Sequence, residues 1–217
     1  MLQPIFITGI GTGVGKTIIS AIITEALKAN YWKPIQAGFD DGTDALEVKQ
    51  LVSNTDSLFF DEVYKLKLPA SPHIAAREEN IKIEMNDIVS SYQNISKNNA
   101  NNNLIIEGAG GLLVPINDNE FIIDIIKNLN AKVILVSRNY LGSINHSLLT
   151  AQICKQQNID VLGWVFNDQF MQYEDEIVHW SGYTKISSVP LATTLSASWV
   201  SQQAKILEGS LRKVLGY

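Results

Sequence analysis

Residues 9 to 17 read Gly-Ile-Gly-Thr-Gly-Val-Gly-Lys-Thr, set between a strand-like apolar run, Ile5 to Thr8, and a helical apolar pattern from Lys16 to about Lys28. A glycine at every second position lets successive backbone N–H groups turn inward on one point, and the helix start adds its positive dipole end. That geometry suits a phosphate. Lys16 supplies a point charge for the outer phosphates of a nucleotide, and the Thr17 hydroxyl is placed to ligate the accompanying Mg²⁺. A strand, a tight anion-binding turn and a helix in immediate succession commit the chain to an α/β architecture.

The rest of the pattern agrees. Strand-like runs recur at Ile5 to Thr8, Leu104 to Glu107, Lys132 to Ser137, Val161 to Asn167 and Lys185 to Val189. Between them, helical spacing is read at 45–52, 85–96, 121–128, 146–157 and 197–214, and the first helix carries Ile18, Ile19, Ile22, Ile23 and Leu27 on its core side. Strands alternating with helices predict a mostly parallel sheet covered on both faces, a three-layer P-loop NTPase-like fold, with ligands beyond the carboxyl ends of the strands. At 217 residues with 46% hydrophobic side chains, one domain over residues 1–217 is expected. The asparagine-rich stretch Lys97 to Asn103 reads as a solvated loop.

A net charge of -5 without a basic stripe argues against nucleic acid as a partner. No apolar run is long enough for a membrane span and no basic leader precedes the first strand, so a soluble, cytoplasmic protein is expected. Cys154 is the sole cysteine and sits in a helical pattern, where a small buried hydrophobe is the expected role; His73, His146 and His179 lack metal-ligand spacing.

Four further segments bear on chemistry. Trp32-Lys33-Pro34-Ile35-Gln36-Ala37-Gly38 looks like the end of a second strand: Lys33 is either solvated or functional, and the following proline and Gly38 favour a built site. Gly42-Thr43-Asp44 precedes a helix, so Asp44 is either a helix-start residue or a Mg²⁺ ligand. Leu104 to Gly111 delivers Glu107 at the end of a buried strand, where an unpaired charge is costly and a cation partner is expected. Leu141-Gly142-Ser143-Ile144-Asn145-His146 opens a helix whose free N–H groups serve as a plain cap or receive an anion.

With Ser71-Pro72-His73 and Gly163-Trp164-Val165-Phe166-Asn167-Asp168, these motifs resemble, in order and spacing, the dethiobiotin synthetase family over most of the chain. The resemblance implies ATP- and Mg²⁺-dependent closure of a ureido ring on 7,8-diaminononanoate with CO₂ or bicarbonate as the carbon source. It implies nucleotide contacts at Gly13, Val14, Gly15, Lys16 and Thr17, with Asn167 on the adenine edge, and metal ligation by Thr17, Asp44 and Glu107. Lys16, Lys33 and Thr12 are the catalytic residues so implied. Substrate contacts would come from Thr12, Lys33, Ala37 and Gly110, and from Gly142, Ser143, Ile144 and Asn145 across a homodimer interface; Tyr173 is a further substrate-contact residue of looser alignment. Gly11 and Ala37 depart from the family, which more often places a polar side chain at each.

Rival classes fit less well. Amide-forming synthetases related to cobyric acid synthesis carry a glutaminase domain for which 217 residues leave no room. Partitioning-type ATPase switches place an extra lysine early in the loop, where Ile10 and Gly11 stand, and Asn167-Asp168 lacks the spaced lysine of a guanine-binding motif.

Overall fold

The computed structural model describes residues 2–168 and 170–216. Met1, Gln169 and Tyr217, which fall within the expected domain of residues 1–217, lie outside the described residues.

β1 (Ile5–Gly9) runs through the middle of a parallel sheet, hydrogen-bonded to β6 (Leu104–Gly111) on one side and β7 (Lys132–Arg138) on the other. Outward from β6 lie β2 (Asn30–Trp32) and β4 (Phe59–Phe60); outward from β7 lie β8 (Val161–Asn167) and β9 (Lys185–Val189). The order is β4-β2-β6-β1-β7-β8-β9, seven strands in all, and every pairing is parallel. β3 (Ile35–Ala37) and β5 (Tyr64–Leu66) form a separate two-stranded parallel sheet.

Strand alternation divides the core. Ile5 and Ile7 of β1 face α1 (Lys16–Leu27), α2 (Asp44–Leu51) and α8 (Ala197–Leu215), where Ile19, Ile22, Ile23, Val48, Val200 and Leu207 are buried. Phe6 points to the opposite layer. There it joins apolar side chains of α3 (Pro72–Glu78), α4 (Met85–Asn98), α5 (Ile122–Asn128), α6 (Ser143–Gln156) and α7 (Glu174–Ser181). Each fully buried Ile or Phe contributes about 1.5–3 kcal/mol. The three-layer parallel fold expected from the sequence is the one observed, with α3, α7, β4 and β5 in addition.

Several boundaries shift for local reasons. The run expected to end a second strand at Gly38 breaks at Lys33-Pro34, because proline has no N–H to give a ladder. β2 stops at Trp32, and β3 leaves the main sheet. α4 continues through Lys97 and Asn98, so only Asn99 to Asn103 of the expected loop is non-helical. α6 begins at Ser143, three residues before the helical spacing suggests, with Gly142 capping it in a left-handed conformation. Among the described residues no helix is long and apolar enough to cross a membrane.

Candidate active site

The turn after β1 delivers its N–H groups to the carboxyl edge of the sheet, and α1 starts at Lys16 with Gly15 at φ 93° as its cap. Gly15 cannot readily be replaced. A Cβ there would sit 2.0 Å from Asn167 Nδ2, in a backbone region costly for other residues. The close approach lets Asn167, at the end of β8, donate to the Val14 carbonyl at 3.0 Å. Asn167 therefore borders the loop directly, at Val14 and Gly15.

Next to the loop lies a cavity of about 660 Å³ lined by Thr12, Gly13, Gly15, Lys16, Thr17, Lys33, Ala37, Asp44, Glu107 and Gly110, among others. Ten residues chosen from four separate segments of sequence thus share one space. Pro69, Ala70, Ser71 and Pro72 close another side, and Gly38, at φ 77°, permits that approach: a Cβ on it would lie 2.7 Å from Pro69 Cβ.

The cation expected beside Glu107 is Lys33. The parallel register pairs Trp32 with Ile106, so the next residues, Lys33 and Glu107, emerge side by side at the strand ends. Lys33 Nζ lies 3.0 Å from Glu107 Oε1 and also pairs with Asp44 Oδ2. The Lys33 and Glu107 side chains are 5% and 1% exposed, which rules out the solvated-lysine alternative. Burial pulls the Lys33 ammonium down, but Glu107 and Asp44 outweigh it and hold its pKa above the ordinary value. Burial pushes Glu107 up, and Lys33 overcomes that, keeping the carboxyl below its ordinary range.

Glu107 is bonded on both oxygens. Thr17 Oγ1 donates to Oε1 at 2.9 Å, and Tyr31 Oη donates to Oε2 at 2.9 Å. Asp44 is not the helix cap. Thr43 takes that role, its Oγ1 accepting from Leu46 N at 3.2 Å, which leaves the Asp44 carboxylate for Lys33. Lys16 Nζ donates to the Gly11 carbonyl at 2.9 Å. Burial lowers its pKa from 10.5 to about 8, with Glu107 and Asp44 opposing the drop and Lys33 adding to it.

Thr17, Asp44 and Glu107 offer only hard oxygen donors, the set that suits Mg²⁺. Among the described residues no group of three or more His, Cys, Asp and Glu side chains stands ready to hold a metal. Asp44 and Glu107 are the two carboxylates of the oxygen set, and Mg²⁺ commonly takes one or two carboxylates and completes its shell with phosphate and water.

Other expected site residues lie apart. Gly142, Ser143, Ile144 and Asn145 are not among the residues lining this cavity. Gly142 and Asn145 are exposed at the start of α6, while Ser143 is buried, its Oγ accepting from Tyr140 N at 3.3 Å. Tyr173 caps α7, and its hydroxyl contacts Met171 Sδ at 2.7 Å; it too lies away from the cavity. Val14 is buried beneath the loop, so any contact it makes with phosphate would be through its backbone. A Cβ on Gly11 would meet nothing within 4 Å, and this residue lines a neighbouring groove.

Sequence reasoning passed over Gln36, Glu47 and Tyr31. Gln36 ties β3 to α2, accepting from Asp44 N at 3.2 Å and donating to the Gly38 carbonyl at 2.7 Å. Glu47, one helical turn after Asp44, faces the cavity; burial, then Asp44 and Glu107, push its pKa up. The i,i+3 spacing from Asp44 was the available signal for Glu47. Cys154 is buried with its thiol pushed up to about 12, which fits the inert role expected of it.

A family model described as an AAA domain matches residues 3–198. The ATP-dependent dethiobiotin synthetase BioD of Christiangramia forsetii is 51% identical over 167 residues, 77% of each chain. The chain belongs to the dethiobiotin synthetase family. Dethiobiotin synthetases of Cytophaga hutchinsonii and Afipia carboxidovorans are 47% and 39% identical, over 82% and 90% of this chain and 82% and 91% of theirs. Among solved structures, the MinD cell division protein of Aquifex aeolicus superposes with a TM-score of 0.62 at 16% identity, covering 100% of this chain and 98% of that one. A ParA family ATPase from Chlorobium tepidum gives 0.56 at 15%, covering 99% and 92%. At such identities these neighbours show the P-loop fold alone, whereas dethiobiotin synthetase membership rests on the sequence relatives.

Proposed function

We infer that the chain carries out the ATP-dependent ring closure of biotin synthesis, converting 7,8-diaminononanoate, CO₂ and ATP into dethiobiotin, ADP and phosphate. The observation that carries this is the shared cavity: the phosphate loop, Lys33 and the Asp44–Glu107 carboxylates face one space in a chain of this family. One substrate amine takes up CO₂ as a carbamate. A carbamate oxygen attacks the γ-phosphorus and displaces ADP to give a carbamic-phosphoric anhydride, and the second amine attacks its carbonyl carbon, losing a proton as phosphate leaves and the ring closes.

The difficulty is repulsion. Two like charges about 4 Å apart cost ~4 kcal/mol at an effective dielectric near 20. Lys16 and Lys33 are the side chains that offset it, and the oxygen ligands Thr17, Asp44 and Glu107 are the ones to hold Mg²⁺, which when bound neutralises the outer phosphates. Gly13, Val14 and Gly15 cradle the phosphates through their backbone, Asn167 meets the adenine edge, and Thr12, Ala37 and Gly110 border the diamine and carbamate.

The chain works as a homodimer in this reading, with the start of α6 at Gly142 to Asn145 receiving the substrate carboxylate of the partner's site. Support comes from position: these residues lie outside their own cavity, near an apolar groove between the phosphate loop and α6 flanked by the exposed Leu113 and Leu149. One domain spanning the chain, a cytoplasmic location, and no role for membrane or nucleic acid complete the proposal. Purified protein given ATP, Mg²⁺, bicarbonate and 7,8-diaminononanoate should form dethiobiotin and ADP. Absence of diamine-dependent ADP release would overturn the assignment.

A further inference from the structure

Tyr31 stands in the middle of β2, fully buried in the layer shared with α1, its ring centroid 6.1 Å from that of Phe59. In the parallel register it lies opposite Ile105, so Glu107 is two residues further along the same face of β6. That separation is about 6.6 Å along the strand, within reach of a phenol hydroxyl. The hydroxyl donates to Glu107 Oε2 at 2.9 Å, whereas Thr17 and Lys33 both donate to Oε1. A phenylalanine would fill the same space without a buried polar atom to satisfy. The terminal torsion of a glutamate is broad and roughly two-fold, so without the phenol nothing in this set of bonds anchors the second oxygen.

We propose that Tyr31 is a positioning residue for the phosphoryl-transfer site, holding Glu107 Oε2 inside the protein so that Oε1 alone faces Thr17, Lys33 and the divalent cation of the nucleotide. The proposal rests on Glu107 being a ligand of that cation. Groups that orient a metal ligand typically change affinity or activity by about 10–100-fold when removed.

The test is Tyr31→Phe, with binding of Mn²⁺ and ADP to the whole protein followed by titration calorimetry, since Mn²⁺ shares the oxygen preference of Mg²⁺. Binding should weaken about tenfold in Tyr31→Phe and more in Glu107→Gln. Placed in the Glu107→Gln background, Tyr31→Phe should have little additional effect, because both substitutions act on one ligand. In turnover the half-saturating Mg²⁺ concentration should rise while the KM for diamine stays unchanged. If Glu107→Gln weakens binding and Tyr31→Phe does not, even with a lowered unfolding temperature, the hydroxyl is merely structural and the proposal fails. If Glu107→Gln itself leaves binding unchanged, the metal reading of Glu107 fails instead, and the proposal falls with it.

Discussion

Replacing Lys16 with methionine should make the protein more stable while abolishing nucleotide binding. Methionine keeps the unbranched apolar stem, one atom shorter, and removes a charge that the fold buries, the residue being only 7% exposed. The fall in pKa from 10.5 to about 8 measures the cost of keeping that charge. At about 1.36 kcal/mol for each factor of ten in the proton equilibrium it amounts to roughly 3 kcal/mol near neutral pH. Loss of the hydrogen bond to the Gly11 carbonyl takes back about 1 kcal/mol of that gain at any pH, because a neutral amine donates it too.

The pH dependence gives the discriminating result. Lys16 titrates near 8 in the folded chain and near 10.5 when unfolded, so between those values the unfolded chain binds more protons. Stability of the natural protein therefore rises with pH across that window, and the destabilisation is fully present below it. The variant has no such group. Its advantage in urea unfolding without nucleotide should be about 2 kcal/mol at about pH 7 and should vanish by about pH 10, other groups cancelling between the two proteins. A variant no more stable than the natural protein at pH 7, or an advantage that does not shrink with pH, would refute the burial argument.

Other substitutions test other parts of the site. Lys33→Met should cut turnover by at least about 100-fold and destabilise by about 3–5 kcal/mol, since Glu107 is left buried without its cation; steady-state rates and urea unfolding measure the two. Gly15→Ala should weaken ATP binding at least about tenfold in calorimetry, because the new methyl displaces Asn167 and strains a backbone at φ 93°. Dimers mixing a Lys16→Ala subunit with one altered at Gly142 to Asn145 should regain part of the activity lost in each parent; verified mixed dimers that stay inactive would exclude a shared site.

The sheet and its loop were legible because their signals are local. A buried parallel strand is a short apolar run, and the glycines before Lys16 announce a turn that few other structures need. Elements held by distant partners were not. β4 is two residues long and β5 three, too few for a period to register, and β3 exists only because β5 pairs with it. α3 follows Pro69, Ala70 and Ser71 and spans seven residues, so its apolar positions Ala75 and Ala76 make no visible stripe. Within the site, Lys33, Asp44 and Glu107 stood out as charges at element ends. Tyr31 did not, because a tyrosine inside an apolar strand reads as packing until the register shows what its hydroxyl meets.

A MinD cell division protein and a ParA family ATPase share this fold, so the architecture by itself does not select ring closure. In this chain a distinctive part of the site is built where β2 stops. Pro34 cannot extend the ladder, the chain turns out of the sheet, and the register delivers Lys33 beside Glu107 rather than into solvent. That pair has both a structural and a chemical consequence, and the two are separable. In Lys33→Met combined with Glu107→Gln, the amide still accepts from Tyr31 or Thr17, no net charge stays buried at that position, and Asp44, 32% exposed, remains solvated. The double variant should recover most of the roughly 3–5 kcal/mol lost in Lys33→Met while remaining inactive, since replacing both members of a buried ion pair is far milder than orphaning one. Recovery of stability without turnover would assign the single variant's instability to the orphaned carboxylate and its inactivity to the missing cation. A double variant as unstable as Lys33→Met would show instead that lysine supports the break at Pro34 through packing, and that its charge is not what the fold responds to.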